Sequence, residues 1–201
     1  MNNVCTFETM NYATTSMWSN LLREQLDKDQ TIITLTDVPF DGHSPMNQLL
    51  LDRCKDIVEF HCRSNHSNDH SKEFQRYMSQ LFDRLSTSSG LIQAISVIDN
   101  RLVVALVSSN KYNTLRRLNL SRNEIEELND DFWKICPKLE ELDLSFNKLK
   151  EINEQSRDAF VLTGVESGRV SLSVITSDLE FALKDRNVVM ICTAANGHAA
   201  I

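Results

Sequence analysis

The stretch "TLRRLNLSRN" runs from Thr114 to Asn123, and "KLEELDLSFN" runs from Lys138 to Asn147, 24 positions later. At that offset Leu115, Leu118, Leu120, Asn123, Ile125 and Leu128 fall on Leu139, Leu142, Leu144, Asn147, Leu149 and Ile152. Each unit reads as a short strand, "RLNL" or "ELDL", whose leucines alternate inward. A turn then carries the chain away. Asn123 and Asn147 stand where that turn begins, and a carboxamide there can bond backbone groups that the turn leaves unpaired inside the coil. Leucine would fill the same space and leave those groups unsatisfied. Between the two units, Phe132, Trp133 and Ile135 lie among polar residues, as in a helical or irregular segment on the opposite side, with Asn129 or Asp130 as its cap.

The spacing L-x-x-L-x-L-x-x-N-x-L is that of a leucine-rich repeat. Its structural positions are Leu115, Leu118, Leu120 and Asn123, then Leu139, Leu142, Leu144 and Asn147. The intervening residues of the strands, Arg117, Asn119 and Ser121 and then Glu141, Asp143 and Ser145, point away from the leucines and are the expected partner-binding face. Moving the template back by 24 gives Leu91, Ala94, Ser96, Asp99, Arg101 and Val104, and moving it forward gives Thr163, Glu166, Gly168, Ser171, Ser173 and Thr176. Neither fits. An array needs about three repeats to bury a continuous core, so two repeats must lean on other structure at each end.

The chain has 201 residues, 41% hydrophobic and 24% charged, a composition suited to one domain or two small ones. Its formal charge of -7 gives no general attraction to phosphate, so any RNA contact must be local. The first 20 residues lack a basic region followed by an apolar one, and no apolar run approaches the roughly 20 residues that span a bilayer. A soluble intracellular chain with no membrane partner is expected. Cys5, Cys54, Cys62, Cys136 and Cys192 are odd in number and scattered, which suits reduced thiols. Cys54, His61, Cys62, His66 and His70 lie close together but lack the paired spacing of a zinc site, and adjacent His61 and Cys62 point apart on a strand, so no metal site is expected. No nucleophile elbow stands out, and no catalytic residue is assigned.

Upstream, "QTIITLTDVPF" from Gln30 to Phe40 alternates apolar and polar residues and reads as a strand. Ser44 and Pro45 form a cap and first-turn pair ahead of Leu49, Leu50 and Leu51. Phe74, Met78, Leu81 and Leu85 recur at helical spacing. "LIQAISVIDNRLVVALV" is a further apolar segment, and periodicity leaves its type open.

This order, with "TIITLTDVPF", "NQLLLDRCKDIVEFHC" and the "LNLSRNEIEEL" repeat, resembles the nuclear RNA export factor (Tap-like) family over about residues 25–155. There an RNA-recognition fold leads into leucine-rich repeats. The resemblance implies nuclear localisation with shuttling to the cytoplasm, a role in messenger RNA export, and a protein partner on the repeat face. RNA binding is implied only for a chain that carries the whole RNA-recognition fold.

Beyond Ile152, "FVLTG" and "VSLSVITSD" read as two strands around a turn from Gly164 to Gly168, "SDLEFALKD" as a capped helix, and "NVVMIC" as a buried parallel strand. "ITSDLEFALKDRNVVMICTAANGHAAI" resembles the later part of the NAD-binding domain of the opine dehydrogenase family. That resemblance implies an oxidoreductase remnant with His198 near the nicotinamide side. Dinucleotide binding requires a glycine-rich turn between a first strand and a helix, and no G-x-G-x-x-G occurs in the chain. No cofactor is therefore expected here, NAD belonging only to a complete domain, and an active dehydrogenase is not expected.

The expected fold is α/β: two leucine-rich repeats flanked by helical and β material, followed by a partial Rossmann-like β-α-β fragment. The expected divisions are an N-terminal segment (1–44) with the last strand of an RNA-recognition fold, a helical linker or cap (45–110), the repeats (111–155) and the partial dinucleotide-binding fragment (156–201). Two unlike resemblances meeting near residue 155 suggest a fusion of gene fragments. The expected function is a leucine-rich repeat protein-interaction module of the export-factor type, with a dehydrogenase fragment or a generic repeat adaptor as alternatives.

Overall fold

A computed structural model describes residues 3–8, 23–24, 31–36, 45–54, 57–63, 71–87, 91–105, 108, 110–128, 131–148, 169–172 and 189–192. Eight strands lie in chain order in one sheet: β1 (Asn3–Glu8), β2 (Thr31–Thr36), β3 (Ile57–Arg63), β4 (Ala94–Ile98), β5 (Arg117–Asn119), β6 (Glu141–Leu144), β7 (Arg169–Leu172) and β8 (Val189–Cys192). Every neighbouring pair is parallel. Parallel neighbours require a crossover between them, so each loop of chain must travel out and return on the same side, which is how a solenoid grows.

The two inward rows are continuous. Ile33, Phe60, Ile95, Leu118 and Leu142 are paired across β2 to β6; Leu35, Cys62 and Val97 are paired across β2 to β4, and Leu120 and Leu144 stand two residues after Leu118 and Leu142 in the next two coils. All ten side chains are buried. On the crossover side lie helix α1 (Pro45–Arg53), helix α2 (Ser71–Thr87) and the single turn α3 (Phe132–Ile135). The expected stripe of Phe74, Met78, Leu81 and Leu85 on α2 is buried in the same core as the strand leucines, with Phe82 and Tyr77 beside it. Tyr112 ties the helix to the next coil by donating its hydroxyl to the carbonyl of Phe82. α1 begins at Pro45, where a fixed φ and a missing N–H suit a first helical position. Asp131, rather than Asn129 or Asp130, precedes α3; it makes no side-chain cap but its carbonyl accepts from the N–H groups of Lys134 and Ile135.

Several expectations are corrected by this topology. Residues 45–110 are not a helical linker, because they contain β3 and β4 as full members of the sheet. The segment from 92 to 105 is itself a repeat, displaced by one residue from the 24-residue template. Ile95 pairs with Leu118, 23 positions on, and at that spacing Ile92, Ile95, Val97, Asn100, Leu102 and Ala105 occupy the repeat positions, all buried. β3 stands 35 positions before β4, since Phe60 faces Ile95, and the extra length holds α2. α2 thus lies in the long crossover between β3 and β4.

β2 lies between β1 and β3 in this parallel sheet, not in a separate four-stranded RNA-recognition sheet. β7 pairs in parallel with β6 and β8, so the described strands form no hairpin around Gly164 to Gly168. A doubly wound nucleotide-binding sheet reverses its strand order at a switch point. Here the order runs unbroken from β1 to β8, and the strand expected at "NVVMIC" extends the same ladder.

The coils are locked by a ladder of asparagines. The Asn123 amide donates to the carbonyls of Val97 (2.6 Å) in the preceding coil and of Leu120 (2.9 Å) and Ser121 (3.1 Å) in its own. Its oxygen accepts from the N–H groups of Asn100 (3.1 Å) and Leu102 (2.9 Å). Asn147 repeats the arrangement one coil later, donating to Leu120 (2.8 Å) and Leu144 (2.9 Å) and accepting from Ile125 (3.0 Å). Asn100 donates to Cys62 (3.2 Å) and Ile98 (2.7 Å). Asn100 and Asn123 are 1% and 5% exposed, so water cannot replace them as partners for these groups.

Two predictions test this architecture. Asn123→Leu should lower unfolding free energy by about 3 kcal/mol or more in urea titration, because a buried polar group without a partner costs about 1–3 kcal/mol and several are orphaned together. Val97→Asp should abolish cooperative unfolding while Ser96→Asp leaves a folded chain by circular dichroism. The opposite ranking would mean that β4 is out by one residue, since such a slip exchanges the two faces.

Candidate functional site

Side chains alternate along each strand, so the sheet face opposite the core displays its own rows. Across β2 to β6 one row holds Ile32, Glu59, Ala94, Arg117 and Glu141, and the next holds Thr34, His61, Ser96, Asn119 and Asp143. The outward face that carries Arg117 thus begins three strands earlier, at β2. Glu59, His61 and Ser96 belong to it, and exposed Arg63 lies at the end of β3.

Ala94 explains how the first row is wired. It lies between Glu59 and Arg117, and its methyl group is short enough for Arg117 to reach over it and place Nη2 2.9 Å from Glu59 Oε1. The other carboxylate oxygen lies 3.1 Å from His61 Nε2. Glu59 is thereby fixed from two sides, and Arg117 presents its remaining N–H groups to solvent. Such a pair is worth about 0–1 kcal/mol where it is exposed, so its main consequence is orientation. Arg116 and Glu140 form a second cross-coil pair at the strand starts.

The six expected partner residues divide into three kinds. Arg117 and Glu141 are exposed. Asn119 and Asp143 are half-buried, and their side-chain oxygens accept from the N–H groups of Ser121 (3.0 Å) and Ser145 (2.9 Å), closing the turn at each strand end. Ser121 and Ser145 are buried, 6% exposed each, which corrects their expected placement on the solvent face. The strand ends there: the Ser121 carbonyl accepts from the N–H of Asp99, and the Ser145 carbonyl from that of Arg122. A simple alternation continued past the last strand residue misassigns these two serines.

The structural positions Leu115, Leu118, Leu120, Asn123, Leu139, Leu142 and Leu144 are buried, and Asn147 is half-buried. His198, His66 and His70 lie outside the described residues. His61 and Cys62 point to opposite faces of β3, and no group of three metal-ligating side chains occurs among the described residues. Cys54, Cys62 and Cys136 are buried thiols. Burial pushes the Cys62 thiol up to about 12, against a smaller lowering by its hydrogen bond to Asn100, and burial pushes Cys136 to about 12. No helix among the described residues is long and apolar enough to cross a membrane.

The repeat geometry meets its counterparts at this level. Residues 113–160 match the Leucine rich repeat family. The crystal structure of human 5T4 (Wnt-activated inhibitory factor 1, Trophoblast glycoprotein) is similar to this chain, with a TM-score of 0.52 and 17% sequence identity. The match covers 86% of this chain and 66% of that one. No curated protein matches the sequence. The fold is a leucine-rich repeat solenoid, and the similarity to 5T4 extends it well beyond the two repeats legible in the sequence.

The buried thiols carry a prediction with a definite sign. The unfolded chain loses their protons near pH 9 and the folded chain only near 12, so the native state binds more protons between those values. Stability should fall as pH rises through that window, by about 1.4 kcal/mol per pH unit for each thiol. Urea titrations at pH 8, 9.5 and 10.5 on the wild type and on Cys62→Ala with Cys136→Ala check this. The double variant should lose most of the slope.

Proposed function

We propose that the chain is a protein-interaction module whose docking surface is the open sheet face built around Arg117, Glu141, Glu59, His61 and Ser96. The observation that carries this reading is the pairing of exposed, oriented polar side chains with a rigid parallel ladder. Binding groups held on strands lose little conformational freedom on docking. The face mixes both signs of charge with hydroxyl and amide groups, which suits a protein surface better than a phosphate backbone.

The narrower reading, a module of messenger RNA export acting in the nucleus, is supported only by the sequence resemblance. The parallel placement of β2 removes the local reason to expect an RNA-recognition sheet at that strand. A generic repeat adaptor accounts for the same face without RNA. The dehydrogenase reading has the least support, since the chain lacks the glycine-rich turn and β8 continues the repeat ladder.

A photo-crosslinking amino acid placed at Ser96, in the centre of the face, and separately at exposed Glu127 tests the proposal in cells. Discrete protein adducts should form from position 96 and be absent from position 127. Equal adducts from both positions, or none from 96, would remove the face as the docking surface. Adducts from position 96 that are lost on ribonuclease treatment favour the export reading; their persistence favours the adaptor.

A further inference from the structure

Three residues in consecutive coils share an unusual backbone state. Asp99, Arg122 and Phe146 have φ of 62°, 56° and 58°, and each immediately precedes a ladder asparagine. The left-handed region suits glycine or asparagine, and bulky side chains are disfavoured there. The N–H groups of Asp99 and Arg122 donate to the Ser121 and Ser145 carbonyls of the following coil, so the turn is locked and the side chain is thrown outward at the rim of the open face.

At two of these positions the outward side chains meet. The Arg122 guanidinium carbon lies 4.6 Å from the centre of the Phe146 ring, and that ring is 42% exposed. Carboxylates close in sequence are already engaged: Glu124 bonds Lys148 at 2.8 Å and lies 3.9 Å from Arg101, and Asp143 holds Ser145. Among the described residues no carboxylate forms an ion pair with Arg122. A stacked guanidinium keeps its in-plane N–H edge open, the edge that grips a carboxylate through two parallel hydrogen bonds. Arginine and large aromatic residues are also the side chains most enriched where protein interfaces concentrate their affinity.

We propose that Arg122 and Phe146 form a rim anchor for a partner protein, taking a surface segment in which an Asp or Glu stands beside an apolar side chain. The carboxylate binds the free edge of Arg122, and the apolar neighbour covers the exposed part of the Phe146 ring. The anchor rests on the interaction reading above and continues its face, since Asn119 and Asp143 stand three residues before Arg122 and Phe146 in their coils. Binding through one charge pair and one ring predicts loss of affinity with salt.

The test uses the full chain as bait for a phage-displayed library of random dodecapeptides. Wild-type protein should enrich peptides with Asp or Glu within two positions of Leu, Ile or Phe. Synthetic copies should bind Arg122→Ser and Phe146→Gly at least tenfold more weakly. Phe146→Gly keeps the fold in view, because glycine accepts a positive φ and its melting temperature should equal or exceed that of the wild type. Two results overturn the anchor: no acidic and apolar motif among the enriched peptides, or equal binding of the selected peptides to both variants. Crosslinking from position 96 then shows independently whether the open face still docks a partner.

Discussion

One carboxamide bonded into two coils at once is the contact on which the solenoid depends. The Asn123 side chain donates to carbonyls of β4 and of its own turn and accepts from two N–H groups of the preceding coil. Only a group with two donors and an oxygen with two lone pairs can do all of this in a dry site. An aspartate has no N–H to donate, and a leucine leaves every partner stranded. The same geometry draws the residue before each asparagine into positive φ and, ahead of Asn123 and Asn147, brings the serine before that out of solvent. The outward display at the rim is thus a consequence of the inward ladder.

The open face inherits its order from the same register. With the inner rows held by Phe60, Ile95, Leu118 and Leu142, the residue before each of these must face outward, and Glu59, Ala94, Arg117 and Glu141 are brought into line. The ion pair between Glu59 and Arg117 passes over a residue that contributes only a methyl group, so a small side chain at position 94 is as much part of the surface as the charges beside it. The interaction reading follows from a rigid, polar, mixed-charge ladder, and the partner chemistry at its rim from a stacked arginine that forms no ion pair among the described residues.

The unequal coils also have a single explanation. Strand spacing is fixed by the backbone ladder, but the repeat length is free to vary, from 20 residues between Val170 and Met190 to 35 between Phe60 and Ile95. The longer excursion carries α2, whose buried Phe74, Met78, Leu81 and Leu85 supply a cap of apolar contacts that a short coil cannot provide. β7 and β8 keep the parallel ladder with Val170, Leu172, Met190 and Cys192 in register with the inner rows.

Two repeats, the amphipathic α2 and the alternating strand β2 were legible in the amino-acid sequence alone, because each depends on spacing within one coil. Leu118, Leu120 and Asn123 announce their roles to any reader of that spacing, as do the outward Arg117 and Glu141. The repeat from 92 to 105 was hidden by one residue: a template held at 24 set Ala94 and Ser96 where Ile95 and Val97 belong, and a slip of one exchanges inside for outside. Pairing between strands decided that register, through hydrogen bonds made by residues 23 and 35 positions apart. It also decided that β2 and β8 belong to one sheet, that Ser121 and Ser145 are buried, and that Arg122 rests on Phe146. The sequence by itself determined which residues prefer to be buried within a coil; only the tertiary structure decided which coils are neighbours, because parallel strands meet through crossovers whose length no local pattern records.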